Sequence, residues 1–327
     1  MAESTLTCDR EYLLREVGRL LGWDRTVGHW DDDQDTDGDD FVQSGLRSFY
    51  YPPSGFLWSF LRDYYTITTV AEFSADTITV SSGVVTKAAG TNFPSWAASG
   101  EITLSGLTYT VNTRDGNNQV TLDDTSLTNA TASSYVLGQS KYDLPDNFAG
   151  FISPMTYRPG ASSYYPPIAF IDEFQIRGKR QDHEIASRPM YCALSAKTFN
   201  PTTGQRWEVQ FWPTPDDVWQ LTGRMKIIPD KLTSVNKYPL GGGNHSETIL
   251  ESVLAAAERK MEDSEGLHAQ AFSRLLESSI NQDRETTRPG SLGVDYGDSS
   301  DSDDYDGIYM NPYGGYTQYT GQTLFTG

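Results

Sequence analysis

The densest run of chemistry-bearing side chains is Asp33-Gln34-Asp35-Thr36-Asp37-Gly38. Oxygen donors at alternating positions, followed by a glycine for a sharp turn, are what an EF-hand calcium loop uses. The remainder of such a loop is missing, because its closing bidentate position is Ser44 and its hydrophobic position falls on Asp40. The run reads first as a solvated acidic loop leading into a helix N-terminus. Asp33, Asp35 and Asp37 stand second, as candidate calcium ligands at a subunit contact.

Other chemistry is thinner still. His29, His183, His245 and His268 are widely spaced, so no His-x-x-x-His metal pair exists. No Gly-x-Ser-x-Gly elbow is present, and Gly241-Gly242-Gly243 lacks the Lys-Ser/Thr of a phosphate loop. Asp172-Glu173 and Asp216-Asp217 are adjacent acids, and neighbours on a strand point to opposite faces. Phe49-Tyr50-Tyr51, Tyr164-Tyr165 and Trp207-Phe211-Trp212 could stack on sugars, but core or interface is the simpler role. The expectation is a non-enzyme with no cofactor, no catalytic residue and no assigned metal.

Charge then limits the partners. Lys and Arg total 25 against 44 Asp and Glu, a formal charge of −19. Seven aspartates fall between Asp31 and Asp40 and six between Asp295 and Asp306, with no Lys or Arg after Arg288. Without those 13 the remaining 31 acids nearly balance 25 bases. Phosphate-gripping affinity for nucleic acid is not expected of such a chain. Cys8 and Cys192 are too few for a disulfide framework. Charges interrupt Met1 to Leu21 and no apolar run reaches membrane-spanning length, so a soluble protein made in the cytosol is expected.

The elements follow from periodicity. Tyr12, Leu13, Val17, Leu20 and Leu21 predict a helix over Asp9–Gly22, with Gly22 as C-cap. Val42, Leu46, Phe49 and Tyr50 predict a second over Asp39–Tyr51, stopped by Pro52-Pro53. From about Thr66 to Leu137, Thr- and Val-rich alternation with turns at Gly83, Gly106 and Asp115-Gly116 predicts a small barrel or sandwich. Ile168–Ile176, Met190–Leu194, Trp207–Trp212 and Trp219–Ile228 read as strands of a second layer. A capping box of Asn244 and Glu247 would open one long helix reaching about Glu285.

The expected fold class is α+β: an α-helical bundle of N- and C-terminal helices, with an inserted β module, a second β layer and an extended C-terminal arm. The expected domains are 1–65 (helices with the acidic loop), 66–140 (β module), 141–240 (second β region), 241–288 (C-terminal helices) and 289–327 (arm). The arm holds six tyrosines among Gly, Asp and Thr, too few aliphatic residues to fold alone. A segment that orders on a partner fits that composition.

In order and spacing, the motifs resemble head-to-tail adaptor (connector) proteins of tailed bacteriophages. The landmarks are Ser44-Gly45-Leu46-Arg47-Ser48-Phe49-Tyr50-Tyr51-Pro52-Pro53, Trp58-Ser59-Phe60-Leu61 and the Thr-rich insertion. Tyr142-Asp143-Leu144-Pro145-Asp146-Asn147-Phe148, Trp207–Pro215 and His245-Ser246-Glu247-Thr248-Ile249-Leu250-Glu251 follow, so the likeness spans roughly residues 9 to 285. It implies a structural virion protein of the neck, forming a homo-oligomeric, typically dodecameric ring below the portal. Such a ring extends the DNA channel without specific DNA binding and docks the next neck or tail component. A C-terminal arm of this class reaches the portal protein, which puts portal contact on Tyr305, Tyr309, Tyr313, Tyr316, Tyr319 and Phe325. Asp33, Asp35 and Asp37 become candidates to face the lumen. The alternative from another class is a carbohydrate-binding tail or baseplate protein.

Overall fold

The computed structural model describes residues 4–87, 90, 92–127, 129–159, 165–262 and 266–287. In chain order it opens with α1 (Arg10–Leu21) and α2 (Asp32–Tyr50). Strands β1 (Arg62–Thr68), β2 (Ile78–Ser81), β3 (Val84–Lys87), β4 (Glu101–Leu104) and β5 (Leu107–Thr113) come next. They are followed by β6 (Gln119–Leu122), β7 (Ala130–Ser133), β8 (Val136–Gly138), β9 (Lys141–Asp143) and β10 (Phe148–Phe151). After β11 (Thr156–Tyr157) and β12 (Ala169–Phe170) comes α3 (Glu173–Asp182). Strands β13 (Tyr191–Ala196), β14 (Trp207–Trp212) and β15 (Gln220–Ile227) precede α4 (Ser246–Glu262) and α5 (Leu267–Thr287).

Two compact units result, one from Met1–Asp63 with Lys226–Asp298, the other from Tyr64–Met225, in each case as far as described. The first holds α1, α2, α4 and α5 around Leu13, Leu14, Val17, Phe41, Val42, Leu46, Phe49, Trp58, Ile249 and Val253. Asp9 caps α1 by accepting from the Tyr12 amide at 2.9 Å, and Gly22 ends it at φ 73°.

The second unit contains three sheets. The largest runs β7-β2-β3-β6-β5-β4-β8, and its pairs are antiparallel. Alternation turns Ile78, Val80, Ile102, Val120 and Leu137 into one core. The second sheet runs β12-β13-β14-β9, with β12 parallel to β13. The third runs β1-β15-β10, with β11 also on β15.

The expected helical bundle with small β excursions is not the architecture. Among the described residues, fifteen short strands in three sheets outnumber the five helices, so α+β stands only as the general class. One physical reason is that the long C-terminal helix does not exist. Its apolar stripe is shared between α4, 17 residues, and α5, 21 residues. The inserted sheet is also open, with β7 at one edge and β8 at the other, rather than a closed barrel.

Two local expectations also change. Only Ala169–Phe170 of the Ile168–Ile176 run is strand, and α3 begins at Glu173, supported by the i,i+4 pair Glu173–Arg177. Asn244 lies in a short 3₁₀ turn, Gly243–His245, and α4 starts at Ser246 instead.

Candidate functional site

The aspartate run becomes helix. Asp31 is the N-cap of α2: its carboxylate accepts from the Gln34 amide at 2.8 Å, and Gln34 Oε1 accepts from the Asp31 amide at 3.3 Å. The helix thus starts seven residues earlier than apolar periodicity alone predicts. Asp32, Asp33 and Asp35 occupy its first turn, where the positive end of the helix dipole favours them. Beyond that turn Asp39 pairs with Arg10 at 2.6 Å and Asp40 with Lys260 at 3.9 Å.

Asp31, Asp32, Asp33, Asp35, Asp37 and Asp40 are exposed, so this part of α2 presents an acidic ridge. Asp33 and Asp37 share a helix face while Asp35 points away from it, and no loop gathers the three. Among the described residues no group of three or more His, Cys, Asp or Glu is arranged to hold a metal ion.

Glycines let the opposite face of α2 sit close to its neighbours. A Cβ on Gly38 would lie 2.8 Å from the Trp30 ring. One on Gly45 would lie 2.5 Å from the Val253 Cα on α4. Below them Phe49, Trp58 and Phe60 surround the buried His245 at ring-centroid distances of 5.9, 5.2 and 5.6 Å. Among the described residues the Nδ1 of His245 has no hydrogen-bond partner. Close by in the same unit, buried Asp283 of α5 accepts from the Ser59 amide at 2.8 Å and from its hydroxyl at 2.5 Å.

Burial pulls the His245 pKa below its ordinary 6.5, against the opposing charge of Asp283. The imidazole is therefore neutral in the fold and protonates more readily in the unfolded chain. Its stability contribution is complete above pH 6.5 and is lost as pH falls from there through the lower folded value. His245→Phe should flatten the loss of urea stability between about pH 7.5 and 5. An unchanged pH slope would remove His245 from this role.

In the second unit the polar anchor is Arg180 of α3. Its guanidinium bonds Glu101 of β4 at 2.6 and 3.2 Å, Glu184 at 2.6 Å and the Ser140 hydroxyl at 3.2 Å. Glu184 in turn accepts from the Thr214 hydroxyl at 2.8 Å. Burial opposes the charge of Arg180, yet Glu101 and Glu184 together hold its pKa above the ordinary value. Ser140 is completely enclosed in this network. One side chain thus ties the largest sheet to α3 and the residues between β8 and β9.

The aromatic clusters divide in the same way. Phe49 and Tyr50 are core, Tyr51 is exposed, and Phe211 is fully buried on β14. Tyr165 packs edge-to-face on Trp219 at 5.7 Å, and Tyr157 donates to the Pro189 carbonyl, while Tyr164 lies outside the described residues. Glu173 pairs with Arg177, and Asp216 accepts from the Trp219 indole at 3.1 Å, so each acid pair has one member with a local structural partner. His29 lies 3.4 Å from Asp24, and His268 lies 2.8 Å from Glu251. Both cysteines are buried and free.

Tyr305, Tyr309, Tyr313, Tyr316, Tyr319 and Phe325 lie outside the described residues. Among the described residues no helix is long and apolar enough to cross a membrane. No curated protein matches the chain. The model of the SU10 adaptor protein family matches residues 104–295, from the largest sheet through α5 and just beyond. That match covers more than half of the sequence, and the chain belongs to the SU10 adaptor protein family, whose members are structural phage adaptors.

Proposed function

We propose that this phage adaptor is a head-to-tail adaptor: a neck protein that assembles as a dodecameric ring below the portal, continues the DNA channel and docks the next neck or tail component. The observation that carries the reading is the family match over residues 104–295. The acidic ridge of α2 supports it. Repeated around a ring, such a ridge on the lumen side would let DNA pass without adhering; Asp33 and Asp37, which share a helix face, are its proposed lumen-facing members, and Asp35 is on another face of α2. The C-terminal arm, with Tyr305, Tyr309, Tyr313, Tyr316, Tyr319 and Phe325, is the proposed portal contact.

A phage carrying a stop codon early in this gene provides the test. The expected lysate contains DNA-filled heads and separate tails or tail parts that this protein, added back, joins. Complete head-and-tail particles that fail only to adsorb would contradict the reading and favour a glycan-binding tail protein.

A further inference from the structure

Two depressions on the first unit share Arg10, Thr233 and Ser234 in their walls. One, about 700 Å³, runs between α2 and residues 228–234, with Leu46, Tyr50, Tyr51 and Ile228 as apolar walls. The other, about 470 Å³, lies between the start of α1 and residues 25–28.

Their charge is unusual for this chain. Arg15, Arg25, Arg47, Lys231 and Lys237 are exposed in these walls, and among the described residues none forms an ion pair. Asp39 is taken up by Arg10 and Asp40 by Lys260. Asp9 caps α1 and keeps its charge, and among the described residues Glu11 and Asp230 are the wall acids with neither an ion pair nor a capping role. On a chain of formal charge −19, a surface where six cations meet five acids, five of the cations outside any ion pair, is the more receptive one to an anionic occupant.

We propose that these depressions hold the acidic, tyrosine-bearing C-terminal segment of this chain, residues 295–319, from the same copy or a neighbouring one. The segment has six Asp and six Tyr and no Lys or Arg. Carboxylates can form charge-assisted bonds with the five cations, while tyrosine rings lie on the apolar walls and stack on guanidinium planes. Length permits both sources. Helix α5 ends at Thr287 on the same unit, and the 40 residues after it can extend to about 130 Å. Nucleic acid is the other polyanion of the virion, but the apolar walls suit a peptide with aromatic side chains better than a phosphate backbone.

One consequence rests on the adaptor reading. If the arm also binds the portal, the two contacts compete, and the arm stays docked until the portal displaces it. The docking itself stands without that reading.

The test uses full-length protein. Hydrogen exchange is compared between the wild-type chain and a variant with Asp295, Asp298, Asp301, Asp303, Asp304 and Asp306 changed to Asn. Amides of residues 10–15 and 228–237 should exchange at least about tenfold faster in the variant. A labelled peptide spanning 290–327 should bind that variant and restore protection, more weakly as salt rises from about 50 to 300 mM. Adding Arg25→Glu, Arg47→Glu and Lys231→Glu, all at exposed positions, should weaken the peptide at least about tenfold with the circular dichroism unchanged. Protection that persists on dilution assigns the same copy; protection lost on dilution assigns a neighbour. Equal exchange in both chains with no peptide binding overturns the proposal, as does binding of a DNA duplex without binding of the peptide. Portal binding without docking would refute the docking alone, and docking without portal binding would refute the portal role alone.

Discussion

Gly45→Ala lowers the stability of the chain, although alanine is the better helix former. In an open helix the exchange gains about 0.5–1 kcal/mol. At Gly45 the added Cβ would stand 2.5 Å from the Val253 Cα, 2.7 Å from its nitrogen and 2.8 Å from the Ser252 carbonyl carbon. All three are backbone atoms, so no rotamer change relieves the contact, and α2 and α4 must separate. Carbon–carbon contacts are satisfied near 3.5–4.0 Å, so a shift of about 1 Å would propagate to Val42, Leu46, Phe49 and Ile249 in the same core. Overpacking of this kind costs about 1–3 kcal/mol or more. The clash therefore outweighs the propensity gain, with a net loss of about 2 kcal/mol and a fall in melting temperature on the order of 5 °C. Gly178→Ala is the control. That glycine is in α3 with no atom of the described residues within 4 Å of its would-be Cβ, and the change should be neutral or slightly stabilising. A Gly45→Ala chain as stable as wild type would show that α2 and α4 are not in backbone contact.

Arg180→Ala should have a larger effect. It leaves Glu101 and Glu184, whose side chains are 14 % and 27 % exposed, as largely desolvated carboxylates without their shared cation. Removing one member of a buried charge cluster typically costs about 3–5 kcal/mol, because the partners left behind lose more than the pair was worth. Partial exposure places the expected loss at the low end, about 3 kcal/mol. Read by hydrogen exchange, that is roughly a hundredfold acceleration in β4, β8 and α3 together. Arg180→Lys should recover part of the loss, since a single ammonium cannot reproduce the forked contact with Glu101. Acceleration confined to α3, with β4 unchanged, would mean that Arg180 does not couple them.

These two residues also show where reading from sequence reaches its limit. Period-two alternation marked the region that holds β2 to β6, because each of those strands has one buried face, and Asp9 and Gly22 marked both ends of α1. The start of α2 was missed because its first turns are polar all round. Their signal was the Asp31/Gln34 capping box rather than a stripe. In α3 the four apolar residues from Ile168 to Ile171 hid a helix whose cues were the acid at its start and the Glu173–Arg177 spacing. Gly45 gives no sign in sequence that α4 crosses it. Arg180 finds Glu101 across 79 positions, which no local pattern encodes. The five cations of the double depression are spread from Arg15 to Lys237 and meet only in the fold. The bundle expectation failed because strong helical stripes lie at both ends of the chain, whereas the fifteen strands between them are two to eight residues long and many are too short to show a period.

The central claim is that the chain assembles on a portal through its C-terminal arm. Native mass spectrometry, of the protein alone and after mixing with the portal protein encoded beside it, tests this most directly. A stoichiometric ring on the portal, lost when residues 290–327 are removed while the circular dichroism is kept, is the predicted result. A chain that stays monomeric in the presence of the portal, with or without those residues, would contradict it.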